Sequence, residues 1–517
     1  MDRPVRKIII LGGGSAGWLT AGVIAAEYRE GLNITLVESP DVPTIGVGEG
    51  TWPSMRDTLR KMGISERDFI RECDASFKQG SKFIGWKTGD KSEFYYHPFS
   101  LPQGFFEVNS APYWQSLCPS ISFADAVCAQ GRTCEQHLAP KQISTPEYAA
   151  VVNYGYHLDA VKFGHFLRKH CTEKLAVRHV VDHVLAVNAT EDGYLESLGT
   201  QKSGVLEGDL FIDCSGSASV LLGKFFLEPF FGRRKVLFND SALAVQVPCA
   251  DVDQPVASAT LSTAQSAGWI WDIGLPSRRG VGYVYSSSHS TDAQAEAEIR
   301  AYLVPSMGKR RADTAELRQL RFDPGHRRSF WRKNCVAVGM SAGFIEPLEA
   351  SALALVELSA AMIRDDMPAN RAVMAISEKR FNERFQYRWD RIIDFLKLHY
   401  VLSQRNDSDY WRDHRDPAGI PTRLQELLSL WQYQSPSRLD FVQAEEIFTA
   451  ASYQYVLFGM GFKTCLREGS RRSENSELVK RHFEENAMHT QRLLQGLPSN
   501  RELLANIATQ LTPFVSC

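Results

Sequence analysis

One short run, Gly12-Gly13-Gly14-Ser15-Ala16-Gly17, constrains the fold of this 517-residue chain more than any other feature. It follows the apolar, β-branched stretch Lys7 to Leu11 and precedes an alanine-rich stretch from Trp18 to Tyr28. The pattern predicts a strand, a glycine turn and a helix. A second strand from Ile34 to Val37 follows, ending at Glu38. Gly12, Gly14 and Gly17 satisfy GxGxxG. Such glycines allow a tight turn, close approach of backbone to a pyrophosphate, and close packing of helix on strand. The helix N-terminus that follows the turn offers unpaired N–H groups to phosphate, with Ser15 and Ala16 in the turn among the candidate contacts. Glu38 stands where an acid can hold ribose hydroxyls, about 20 residues on. The unit predicts a dinucleotide site in a doubly wound α/β sheet.

Composition excludes several classes. Hydrophobic residues make up 44% and charged residues 23%, which rules out a disordered or fibrous chain. Lysine plus arginine (58) nearly balances aspartate plus glutamate (60), so nucleic acid is not expected as a partner. No apolar run reaches the length of a membrane span, and the run Ile8 to Leu11 is too short for a signal core. Ten cysteines are scattered without a CxxC pair. That fits reduced thiols in a cytoplasmic protein and gives no reason to expect a metal site.

Further along, residues 43–62 read as a second glycine loop and a helix. Residues 94–150 read as long aromatic loops. Strands are expected over 176–216, with a turn at Asp192-Gly193 and a buried strand at Leu210 to Ile212. A β-sheet layer is expected over 241–285. Another strand, Cys335 to Val338, precedes a helix at roughly 347–364. Beyond about residue 370 the chain reads as helical, with Trp389, Ile392, Phe395, Leu396 and Tyr400 at helical spacing. The charged stretch 466–482 reads as an exposed loop or helix end.

Two segments separate FAD from NAD. Gly208-Asp209-Leu210-Phe211-Ile212-Asp213-Cys214-Ser215-Gly216 resembles the second FAD fingerprint of flavin monooxygenases. Asn334 to Gly343, including Met340, resembles their third. With the first glycine loop they favour FAD, and no second convincing GxGxxG provides for a tightly held nicotinamide.

The chain also contains Ile45-Gly46-Val47-Gly48-Glu49-Gly50-Thr51, Phe77-Lys78, Lys82-Phe83-Ile84-Gly85-Trp86 and His97-Pro98-Phe99. It continues with Tyr156-His157-Leu158-Asp159-Ala160, Gly268-Trp269-Ile270-Trp271-Asp272-Ile273 and Phe344-Ile345-Glu346-Pro347-Leu348-Glu349. Over nearly its whole length it resembles the flavin-dependent tryptophan halogenases.

The resemblance implies an α/β flavin-monooxygenase-type fold. Residues 1–370 would form the FAD-binding and β-sheet body, and residues 371–517 a largely helical part covering the substrate. It implies FADH2 from a separate flavin reductase, with O2 and a halide ion as co-reactants that give hypohalous acid. Val47, Asp213, Gly216, Met340 and Leu353 would join the glycine loop around the flavin. Backbone N–H groups of Ser351 and Ala352 would hold the halide. Lys78 matches the lysine that hydrogen-bonds hypohalous acid or forms a haloamine, and Glu349 the acid that orients the electrophile or removes the ring proton. His97 and Phe99 would sandwich a small aromatic substrate, with Tyr453, Tyr455 and Phe458 closing the pocket. Trp269 and Trp271 would keep organic molecules from the flavin. A homodimer is expected on general grounds.

Bland readings stand beside these. Lysines are usually solvated. Glu349 also fits a buried acid at a helix start. The two tryptophans fit an alternating strand on an apolar layer. An aromatic hydroxylase and a non-catalytic reduced-flavin-binding protein are the alternative functions. Two departures stand out. Gly274 follows Ile273 where the family usually has proline. Ala350-Ser351-Ala352 replaces a segment close to Ser-Thr-Gly; Ala352 cannot take φ > 0 as readily as glycine, which leaves the halide open, with bromide or iodide expected over chloride.

Overall fold

The computed structural model describes residues 4–28, 30–42, 46, 48–443, 445–465 and 475–509. Val47 and residues 466–474 of the charged stretch lie outside these. The chain gathers into two compact units, each drawn from three stretches: Met1–Asp74, Leu158–Arg234 and Phe322–Asp390 in the first, Ala75–His157, Lys235–Arg321 and Arg391–Cys517 in the second. The helical stretch expected from 371 onward is thus shared between units, because its aromatic side chains pack on segments far away in sequence.

The first unit is built on a six-stranded sheet. Its order is Trp331–Arg332, Cys335–Ala337, Leu210–Asp213, Lys7–Leu11, Asn33–Glu38, Arg178–Val181. Every pairing is parallel except that of the two-residue edge strand. Ile8 lies between Ile34 and Leu210 in register, and Ile8, Ile10, Leu36, Leu210 and Ile212 are wholly buried. Parallel strands covered on both faces read as continuous apolar runs, which is why these segments lacked alternation. The Ser15–Glu27 helix packs against the Ala160–Lys174 and Ser351–Asp365 helices. It starts three residues before the expected Trp18, since Gly14 serves as its N-cap. Asp159 caps the Ala160–Lys174 helix, accepting from the N–H groups of Val161 and Lys162 at 3.0 Å each.

The second unit is built on a seven-stranded sheet ordered Arg318–Arg321, Ser241–Pro248, Arg278–Tyr285, Gly268–Gly274, Thr260–Ala264, Gly80–Ile84, Phe94–Pro98. Only the Thr260–Ala264 and Gly80–Ile84 pair is parallel. Leu243, Val245, Ile270, Val281 and Tyr283 bury one face against Ala295, Ile299 and Leu303 of the Asp292–Met307 helix.

The region expected as aromatic loops holds more structure than that. It contains the Phe94–Pro98 strand and three helices, Ala111–Leu117, Phe123–Val127 and Gln130–Glu135. Helices of five to seven residues complete at most two turns and leave little periodicity to read. They are fixed by tertiary packing: Tyr96, Phe123, Tyr455, Phe458 and Phe483 share one buried cluster.

Glu357, on the Ser351–Asp365 helix, is a buried acid in the first unit. Thr58 Oγ1 donates to it at 2.7 Å and Ser54 Oγ at 3.3 Å. Burial outweighs both bonds and raises the carboxyl to about 8. The folded chain therefore keeps a proton that the unfolded chain releases near pH ~4.3. Stability from this group is fully present below that pH and is lost as pH rises toward about 8. Glu357→Gln is expected to flatten the fall in melting temperature across this window. Equal slopes in parent and variant would contradict the assignment.

Candidate active site

The parallel strands Lys7–Leu11, Leu210–Asp213 and Cys335–Ala337 end side by side, and each end carries one glycine motif. Ligands of doubly wound sheets bind beyond such carboxyl ends. The motifs touch one another. Gly12 has φ +121, and a Cβ there would run into the Cys214 carbonyl. Gly339 has φ +72, and its Cβ would lie 2.9 Å from that of Ala16. Only glycine meets both demands.

Asp213 accepts four hydrogen bonds within its own turn, from Ser215 Oγ at 2.5 Å, Ser215 N at 3.1 Å, and Leu221 N and Leu222 N at 2.8 Å each. Its carboxylate thus shapes the loop that carries Gly216. Val338 N donates to the Asp213 carbonyl at 2.9 Å, linking this loop to the turn Gly339–Ser341 that holds Met340.

Gly14 caps the first helix without a side-chain bond, so Ser15, Ala16 and Gly17 present N–H groups that have no acceptor within the helix. Glu38, at the end of the adjacent strand, folds back over Gly13. Its Oε1 lies 2.7 Å from His179 Nε2 and 3.9 Å from Arg168. His179 gave no signal in sequence, being an isolated histidine; register places it on the neighbouring strand, opposite Leu36. A crowded glycine floor, a helix start without a side-chain cap, and an acid beside them fit a dinucleotide of the FAD type.

Glu349 to Leu353 also lie in this unit. Glu349 (φ +64) and Ala350 (φ +54) are both left-handed, each at a cost on the order of 1 kcal/mol. Trp52 Nε1 donates to the Glu349 carbonyl at 2.8 Å and holds the kink. Ala352 is not asked to take positive φ. Ala352 sits in the first helical turn, and the strain falls on the two residues before the helix. Ser351, Ala352 and Leu353 therefore offer first-turn N–H groups without backbone penalty. The Glu349 side chain is buried.

Lys78 belongs to the second unit. It ends the strand Ser76–Lys78, paired antiparallel with Gly155–Asp159. It is 1% exposed, which excludes the solvated-lysine reading. Its Nζ lies 5.3 Å from the centre of the Phe99 ring. His97 is buried among Phe395 (5.5 Å between centroids), Phe448 (6.3 Å) and Tyr455 (6.3 Å). Tyr455 donates its hydroxyl to the Ser100 carbonyl at 3.0 Å. Burial pushes the Tyr453 and Tyr455 hydroxyls well above the usual tyrosine range, so both stay neutral phenols.

The structure thus joins Lys78 with Phe99, and His97 with Tyr455. Tyr453 packs against the Phe395 ring (4.9 Å), Trp431 (5.4 Å) and Phe441 (5.0 Å), and so supports the wall through Phe395. Phe395 and Phe448 stack with ring centroids 3.8 Å apart, and nothing in the sequence ties either to this wall. Phe395 was visible there only as one member of a helical stripe.

Trp269 and Trp271 sit on the buried strand Gly268–Gly274, and Trp86 packs 6.3 Å from Trp269. Gly274, which stands where proline was expected, accepts from Ser76 Oγ at 2.5 Å. Among the described residues no group of three or more His, Cys, Asp or Glu side chains is placed to hold a metal ion. No helix among them is long and apolar enough to cross a membrane.

Residues 7–469 match the family profile described as tryptophan halogenase. The chain belongs to the tryptophan halogenase family. Tryptophan 7-halogenase RebH of Lentzea aerocolonigenes is 31% identical, over 98% of this chain and 99% of its own. The crystal structure of a tryptophan halogenase from Shewanella frigidimarina superposes with a TM-score of 0.95 at 53% identity, covering 98% of each chain. BrvH, a flavin-dependent halogenase from Brevundimonas sp., superposes at 0.86 with 31% identity, covering 98% of this chain and 100% of that one. This halogenase is a flavin-dependent enzyme.

If the contact between Gly12 and Cys214 shapes the flavin cradle, Gly12→Val should weaken FAD binding by roughly 100-fold, about 2.8 kcal/mol. Fluorescence titration measures this. Unchanged affinity in a folded variant would contradict the assignment.

Proposed function

We propose that this halogenase takes FADH2 from a separate flavin reductase and, with O2 and a halide, halogenates an electron-rich aromatic: tryptophan, indole or a related ring. The observation that carries this reading is Lys78, an amine buried to 1% exposure beside the Phe99 ring. Bound reduced flavin and oxygen supply the oxidising equivalent that turns halide into hypohalous acid. Ser351 and Ala352 hold the halide through their N–H groups. Gly12, Gly14, Ser15, Ala16, Gly17, Glu38, Asp213, Gly216, Met340 and Leu353 would hold the flavin, and the family resemblance adds Val47.

Lys78 donates a hydrogen bond to the oxygen of hypohalous acid. The ring attacks the halogen, the halogen–oxygen bond breaks, and the Lys78 proton converts the departing hydroxide to water. Glu349 takes the proton leaving the ring carbon and offsets the positive charge that develops there. His97 and Phe99 hold the ring by its faces without offering a competing nucleophile, and Tyr455 and Tyr453 brace that wall. Trp269 and Trp271 keep organic molecules away from the flavin.

Residues 1–370 serve as the flavin and sheet body, with 371–517 covering the substrate. The unpaired cysteines among the described residues support a reducing, cytoplasmic setting, and the homodimer rests on the general prevalence of two-fold oligomers.

The test supplies FADH2 from an added reductase, an indole panel, and chloride or bromide, with products read by mass spectrometry. The parent enzyme should give a halogen isotope pattern. Lys78→Ala should lower product by about 100-fold or more, while oxidation of the reduced flavin continues. Normal halogenation by this variant would overturn the reading; a gain of one oxygen in the parent would replace it with hydroxylation.

A further inference from the structure

The strand pair that carries Lys78 also carries a histidine with no part in the relay above. Ser76 pairs with His157 and Lys78 with Gly155, so Ser76, Lys78 and His157 share one face of the ladder. His157 is the diagonal neighbour of Lys78, within reach of a long side chain. Both are buried, His157 at 0% and Lys78 at 1% exposure.

The imidazole is fixed at one nitrogen only. Nε2 lies 2.8 Å from the hydroxyl of Thr260, on an adjoining sheet strand. Nδ1 is buried and meets no hydrogen-bond partner among the described residues. A buried polar atom left this way is costly, on the order of 1–3 kcal/mol, and calls for a reason. Burial first, and the Lys78 charge second, keep His157 well below the usual histidine range. The ring is therefore neutral. With its proton on Nε2, facing Thr260, Nδ1 is an acceptor only.

We propose that His157 is a positioning residue for Lys78, its Nδ1 accepting from one water to which the ammonium in turn donates. That bond fixes one N–H of Lys78 and so sets the direction in which the others meet hypohalous acid. A neutral acceptor suits the task. A carboxylate would clamp the ammonium as an ion pair, and a second cation would repel it. The inference rests on the Lys78 relay.

The test compares two amides of different reach. In His157→Asn the side-chain oxygen falls near the Nδ1 position. In His157→Gln it extends to the Nε2 position, satisfying Thr260 but leaving nothing at Nδ1. The readout is halogenated product per FADH2 oxidised, with escaping hypohalous acid captured by an added thioether. His157→Asn should stay within about threefold of the parent, while His157→Gln should lose about tenfold, the balance appearing in the thioether trap. Parental coupling in His157→Gln would overturn the proposal, as would an equal loss in both variants. Lys78→Ala run alongside separates the two ideas. If it halogenates normally, the relay itself fails; if it is inactive while His157→Gln is normal, only the role of His157 fails.

Discussion

An ammonium group at 1% exposure is costly to build, and the chemistry proposed for this halogenase depends on it. Taking such a charge out of water costs several kcal/mol before any partner is counted. The Phe99 ring, 5.3 Å from Nζ, returns part of that through a cation–π contact worth on the order of 1–2 kcal/mol. The Lys78 backbone is held by pairing with Gly155, which leaves the side chain little choice of direction. A well-packed apolar residue would be cheaper at such a position, so stability does not explain a lysine there. The proposed delivery of an electrophile does: an enclosed N–H donor would bind the oxygen of hypohalous acid where bulk water cannot compete.

The flavin cradle follows a different logic. It uses few side chains and depends on backbones coming very close. Three parallel strand ends meet because Gly12 and Gly339 have no Cβ to hold Cys214 and Ala16 away. The Asp213 carboxylate is spent on its own turn, not held out toward a ligand. The same economy appears at Glu349 and Ala350. Two left-handed residues are tolerated there because Trp52 pins the carbonyl between them, and an ordinary helix begins directly after.

This contrast explains what could be read from the chain. The strand, turn and helix from Lys7 to Glu27 were legible because glycine spacing records backbone demands directly. The 94–150 region was not: its three helices are too short for periodicity, and its strand exists because Gly80–Ile84 pairs with it. Lys78, Glu349, His97 and Phe99 were legible only through resemblance to a family, since nothing in the spacing of Phe77-Lys78 announces burial. Neither Phe395 nor Phe448 could be assigned to this wall from sequence, because it joins His97 to segments about 300 and 350 residues away. The missing glycine at Ala352 drew attention to that residue, whereas positive φ at Glu349 and Ala350 leaves no mark in composition.

In the proposed relay, oxidised halogen passes to the ring without entering solution. The most direct measurement is the yield of halogenated indole from the parent enzyme as a water-soluble thioether, a fast scavenger of hypohalous acid, is raised from zero to a large excess over the indole. Enclosed delivery at Lys78 predicts that the yield and the position of halogenation stay constant. A yield that falls in proportion to the scavenger would mean that the oxidant acts free in solution, and would contradict the account.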